Sequence, residues 1–159
     1  MATRRQFLAL LGLGGAALAS GGALVVLLPD GKEKTDGPPE IAYDSDSCAH
    51  CRMLISDPRF AASWRDNKGD AALFDDIGCM VVQSREHPPT EPVRFWVHDY
   101  KTSDWLDASV ASFVVDPVVK SPMAYGIAAA ASAANARTIS TTSEVTDWAS
   151  ILSTVEARG

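Results

Sequence analysis

The 159-residue chain holds 20 Asp and Glu against 14 Lys and Arg, a net charge of −6 at neutral pH. That acidity argues against nucleic acid and anionic lipid as partners, since both repel it. Three cysteines, Cys48, Cys51 and Cys79, cannot all pair within one chain, so a simple disulfide scaffold is disfavoured and at least one thiol is free or bound to something.

The chain opens "MATRRQFLALLGLGGAALASGGALVVLL", with Arg4 and Arg5 leading into an uncharged, Gly- and Ala-rich stretch from Phe7 to Leu28. Paired arginines before a modestly hydrophobic segment are the pattern of a twin-arginine export signal. The competing assignment for residues 1–28 is a plain membrane anchor, because about 20 apolar residues can span a bilayer. "ALA" at Ala17 to Ala19 offers a cleavage site, and whether it is used stays open. Either assignment places the globular part outside the cytoplasmic membrane, in the periplasm or on the outer face. The twin-arginine route carries folded proteins, which suits a metalloprotein that must avoid the wrong metal outside.

A linker at 29–46, containing "PDGKEKTDGPPE", precedes a domain at 47–159 that is long enough for one compact unit or two small halves near 47–100 and 101–159. "FAASWR" and "DAALF" flank the turn formers of "DNKG" and read as a β-hairpin. Asp75 or Asp76 then caps a short helix through "IGCMVVQS". "HPPTEP" is a loop, since Pro88, Pro89 and Pro92 exclude regular structure. "VRFWVHD" and "ASFVVDP" read as strands, the second ended by Pro117. Alanine-rich "GIAAAASAANA" predicts a helix over Ile127 to Ala136, and "RTIS" a short strand. Thr141 and Glu144 make a capping box ahead of a final helix with Val145, Trp148, Ala149, Leu152 and Val155 on one face. The fold class is α+β: strand, strand, helix, strand, roughly repeated, with two related halves meeting near residues 99 to 104.

The chemistry concentrates in "CAHCRM", residues 48–53. As a redox dithiol, C-x-x-C needs a thiol of low pKa at a helix N-terminus; the upstream "YDSDS" supplies acids, which act the other way, and no strand precedes it. For zinc, one C-x-x-C is half a set, with no second pair to close a tetrahedron. A Cys48–Cys51 disulfide closes a very small loop and stabilises little. The fourth use is copper(I), a soft ion that prefers thiolate and thioether. Met53 lies two positions beyond Cys51, so in an extended segment the two side chains share a face. Met80, beside Cys79 on the first helix, reads as core packing. Met123, in the loop "SPMAYG", is placed to close a site begun by the cysteines as well as to pack. His98 reads as a hydrogen-bonded structural histidine orienting the turn after its strand, His87 as loop, and His50 as either ligand or bystander. Whether Cys79, His50 or His98 ligate stays open.

Together "CAHCRMLI", "FDDIGCM", "FWVHDYKTSDWLDASVASFVV" and "SPMAYGIAA" resemble the NosL proteins, accessory copper chaperones of nitrous oxide reductase, over about Cys48 to Ser140. The resemblance implies two linked ββαβ units, similar to the organomercurial lyase fold, plus a C-terminal helix. It also implies copper(I) as cargo and the nitrous oxide reductase assembly machinery or apo-enzyme as recipient, with no catalysis. Metal ligands are then expected at Cys48, Cys51, Met53 and Met123, with Cys51 and Met53 foremost. Alternatives are an extracytoplasmic thiol–disulfide oxidoreductase, or a lyase-like enzyme with an acid group set against a cysteine pair. The chain departs from the family where glycine is usual: Arg52 precedes the motif Met, and Ala124 follows the loop Met. It also has no cysteine before Cys48 for lipid attachment.

Overall fold

The computed structural model describes residues 37–155. The export segment expected at 1–28, and the linker up to residue 36, lie outside the described residues. Among the described residues no helix is long and apolar enough to cross a membrane.

The predicted hairpin forms as β1 (Ala62–Asp66) and β2 (Ala71–Phe74), antiparallel with Ala62 opposite Phe74 and Arg65 opposite Ala71. Its turn is held by the Asp66 carboxylate, which accepts from the Lys68 and Asp70 amides, while Gly69 supplies the left-handed residue at φ 86°. Asp76 caps the helix α1 (Ile77–Glu86) by accepting from the Gly78 amide. Six consecutive residues, Ile77 to Val82, are buried, so this end of α1 is enclosed on all sides and does not present a single apolar stripe. After the proline loop, β3 (Val93–His98) pairs with the free side of β1, and β4 (Trp105–Asp107) extends the sheet to the order β2-β1-β3-β4. The three-residue β4 was not foreseen from the sequence.

A second set repeats the order at reduced size. β5 (Ser112–Val115) pairs antiparallel with β6 (Ile127–Ala130), and the short helix α2 (Ala133–Ala136) follows, capped by Ser132. The chain then returns to the other side of β5 through one antiparallel residue pair, Phe113 with Thr146, bonded in both directions at 2.9 and 2.8 Å. In each set the first strand is central and the helix follows the second. Asp99, at the end of β3, ties the sets together: its carboxylate accepts from the Ala131 amide as well as from Lys101 and Thr102, and the Tyr100 amide reaches the Ala129 carbonyl.

Three expectations are corrected. The stretch from Ile127 is a strand before it is a helix. All four residues of β6 are buried, and small alanines let a strand be covered on both faces, so pairing with β5 overrides alanine's helix propensity. "RTIS" is a turn continuing α2 and not a strand. The final helix α3 (Trp148–Thr154) is capped by Asp147, which accepts from the Ser150 amide, and not by the Thr141–Glu144 box. The Phe113–Thr146 pairing holds the chain extended up to residue 146, so no helix can begin earlier. Its buried face is accordingly Trp148, Ile151 and Val155, with Ala149 outside.

Gly78 lies against the Tyr125 ring so closely that a Cβ would stand 2.0 Å from the ring's Cγ. Gly78→Ala is therefore expected to destabilise the domain by about 1–3 kcal/mol in denaturant unfolding. In an open helix the same change stabilises; a gain here would contradict the packing.

Candidate metal centre

The cysteine loop is a tight turn and not an extended segment. The Cys48 amide donates to the Met53 carbonyl at 2.8 Å, the Arg52 amide donates to the Cys48 carbonyl at 3.1 Å, and Ser47 pairs with Leu54. Arg52 reaches this closure in the left-handed region, at φ 68°. The loop is fastened to the hairpin by the Ala49 amide, which donates to the Leu73 carbonyl at 2.8 Å. Leu73 is two residues before Asp75, and Cys79 is four beyond Asp75 in the first turn of α1, so residues 75 and 79 lie on the same side as the loop.

The result is a four-donor cluster. One ligand atom each from Cys48, Cys51, Asp75 and Cys79 lies within 4.8 Å of the others. All three cysteines are free thiols. Cys48 and Cys79 are fully buried, Asp75 is 2% exposed, and Cys51 is the half-exposed member. The Cys51 thiol donates to Asp75 Oδ1 at 3.3 Å. Asp75 Oδ2 is buried and has no hydrogen-bond partner among the described residues, a costly state for a carboxylate oxygen that a cation relieves.

The thiols divide by environment. The Cys79 thiol donates to Cys48 and holds the Cys48 pKa down to about 7 against the opposing effect of burial. Cys79, as that donor and as a buried group, is pushed far up. Burial pushes Cys51 up to about 12, with the Cys48 charge adding to it. Of the three thiols in the metal-free cluster, Cys48 is thus about half ionised at neutral pH while Cys51 and Cys79 stay protonated. A soft cation taking all three sulfurs displaces those protons.

Of the expected ligands, Cys48 and Cys51 stand in this cluster. Met53 is 52% exposed on the outer side of the loop. Met123 is half-buried against the main core, and its amide donates to Asp76 Oδ2 at 3.1 Å. Ala124 beside it is left-handed at φ 57°. Both places where the chain departs from the family's usual glycine are therefore left-handed backbone. His98 is structural: Nδ1–H donates to the Ser103 carbonyl at 2.8 Å and Nε2 accepts from the Tyr43 hydroxyl at 3.0 Å, so both nitrogens are satisfied by the neutral ring. Burial lowers its pKa accordingly. His50 lies along α1, 3.4 Å from Gln83 and 3.7 Å from Glu86, and is not one of the four donors. Met80 is core.

The sequence alone leaves Cys79 open as a ligand and reads Asp75 only as a helix cap. The signal for both is the F-D-D-x-x-C spacing, which places a carboxylate at a strand end and a thiol one helical turn on.

The sequence model of the NosL family matches residues 40–144, a span that includes the whole cluster and both sheets. No curated protein matches alongside it.

Two outcomes test the geometry. Arg52→Gly and Ala124→Gly, by relieving left-handed strain, are each expected to raise unfolding free energy by about 1 kcal/mol; a loss at both would contradict the backbone described. Thiolate absorbance of reduced, metal-free protein should rise with a midpoint of about pH 7. In Cys79→Ala that midpoint should move up by about one to two units, the worth of one hydrogen bond to a charged group. An unchanged midpoint would show that Cys79 does not hold the Cys48 charge.

Proposed function

The chain belongs to the NosL family, and from that premise we propose that it carries copper(I) outside the cytoplasmic membrane and yields it for maturation of nitrous oxide reductase. The family is one of accessory proteins in assembly of that enzyme and not of enzymes. The observation that carries the reading is the convergence of Cys48, Cys51 and Cys79 within 4.8 Å, in a position shielded from solvent on all but the Cys51 side. Thiolates select soft monovalent copper over the harder cations abundant outside the cell.

Copper(I) is cargo here. Cys48, Cys51 and Cys79 grip it as thiolates, and the thioethers of Met53 and Met123, outside that cluster, serve as the exchanging ligands. Met53, exposed beside the half-exposed Cys51, forms the outer face at which an incoming ligand arrives. A thioether leaves more readily than a thiolate, so the recipient's donors displace methionine first and Cys51 last, without the ion being released to water. Export by the twin-arginine route, after folding, lets the site form before it meets competing metals. The recipient is the apo-enzyme or its assembly machinery, and an uncleaved N-terminal segment would keep the carrier at the membrane.

A second reading, cleavage of a carbon–metal bond, is favoured by one contact: the Asp75 carboxylate stands 3.3 Å from the Cys51 sulfur, an acid group against a thiol. It requires hydrocarbon release from an organomercurial, and no release leaves the carrier alone.

Competition for copper(I) against a chromophoric chelator, on reduced protein, is the test. The expected result is one tightly held equivalent. Cys51→Ser should weaken binding by more than about 100-fold, beyond the loss of an outer-sphere partner, and Met53→Ala or Met123→Ala by roughly tenfold, about 1.4 kcal/mol. Unaltered affinity in Cys51→Ser, or insulin reduction with no copper retained, would contradict the carrier.

A further inference from the structure

The cluster contains one donor that a copper(I) carrier does not call for. Asp75 sits between β2 and α1, 2% exposed, among three sulfurs. Its Oδ1 accepts from the Cys51 thiol at 3.3 Å, and its Oδ2 is buried without a hydrogen-bond partner among the described residues. Copper(I) is satisfied by sulfur and leaves a carboxylate oxygen unanswered, whereas a closed tetrahedron of thiolates and one nitrogen or oxygen is zinc coordination. The sequence motif alone is half such a set; the fold supplies the other half from Asp75 and Cys79.

Charge points the same way. Once a metal displaces the thiol protons, three thiolates and a carboxylate carry four negative charges, three of them on buried residues. A divalent ion offsets two of them and a monovalent ion one, and uncompensated buried charge is strongly unfavourable.

We propose that Cys48, Cys51, Cys79 and Asp75 form a tetrahedral site for a divalent thiophilic cation of the zinc class. Metal–sulfur bonds of about 2.3 Å set tetrahedral donors roughly 3.8 Å apart, so donors now within 4.8 Å of one another close by about 1 Å at most. The adjustment falls on the cysteine loop, whose backbone, among the described residues, is fastened to β2 at one hydrogen bond, Ala49 to Leu73, while Asp75 and Cys79 are fixed by the strand end and the helix. Because Cys48 and Cys51 serve both ions, the divalent cation and copper(I) exclude one another, and a chain holding the divalent ion does not accept copper until that ion leaves through the half-exposed Cys51.

The test is titration of the reduced full chain with cobalt(II), a spectroscopic stand-in for zinc. The expected result is one equivalent giving the intense visible bands of tetrahedral cobalt and a sulfur-to-cobalt charge-transfer band, both abolished by one equivalent of zinc(II). Cys79→Ala should lose the tetrahedral spectrum. Asp75→Asn, which keeps shape and folding, should weaken cobalt and zinc at least about tenfold more than it weakens copper(I). Weak octahedral bands in the unmodified chain, or equal losses of cobalt and copper(I) in Asp75→Asn, would overturn the proposal. Tight copper(I) with only octahedral cobalt ends this inference and leaves the carrier standing; tetrahedral cobalt without copper(I) binding supports this site and ends the carrier.

Discussion

The metal-binding capacity of this domain depends on one backbone contact, the hydrogen bond from the Ala49 amide to the Leu73 carbonyl at 2.8 Å. Cys48 and Cys51 come from a loop that precedes the first strand, and Asp75 and Cys79 from the junction between the hairpin and α1. Nothing in the local sequence of either piece brings them together. The hairpin register, with Ser63 opposite Leu73, sets where the carbonyl of Leu73 stands, and the loop closes on itself through Cys48 and Met53 before it docks there. Sheet register thus becomes donor geometry.

The two aspartates of "FDD" divide the work of holding that geometry. Asp75 faces the sulfurs. Asp76 faces the other way: one oxygen caps α1 at Gly78 and the other accepts from the Met123 amide at 3.1 Å, while burial raises its pKa. A single turn of chain therefore connects the cysteine cluster, the start of the helix and the loop that carries Met123. The left-handed residues Arg52 and Ala124, at φ 68° and 57°, each adjoin one of the two methionines. Left-handed backbone costs a residue with a Cβ roughly 1–2 kcal/mol, and the surrounding hydrogen bonds hold it in place: Arg52 to Cys48, and Ala124 to Ser121.

The first half of the fold was legible in the sequence because its signals are local and agree. Turn formers sit between two short apolar runs, an aspartate precedes an apolar helix, and prolines mark the loop. The second half misled where tertiary pairing outweighs local preference. Ile127 to Ala130 have helical composition and form a buried strand because β5 lies beside them. Thr141 and Glu144 have capping-box spacing, yet the Phe113–Thr146 pair keeps that stretch extended. In the site, the C-x-x-C loop was visible as a motif, but its completion was not. Cys79 and Asp75 belong to an element whose position relative to the loop is set by tertiary contacts, the sheet register foremost. The extended geometry assumed for Cys51 and Met53 gave way to a turn because the Arg52 amide closes back on Cys48.

X-ray absorption at the copper edge, on the reduced chain loaded with one equivalent of copper(I), interrogates the convergence of sulfur most directly. A nearest shell made of sulfur alone, losing one scatterer in Cys51→Ser, is what three thiols within 4.8 Å of one another predict. A shell dominated by nitrogen or oxygen, unaltered by that substitution, would place the ion elsewhere and contradict the account.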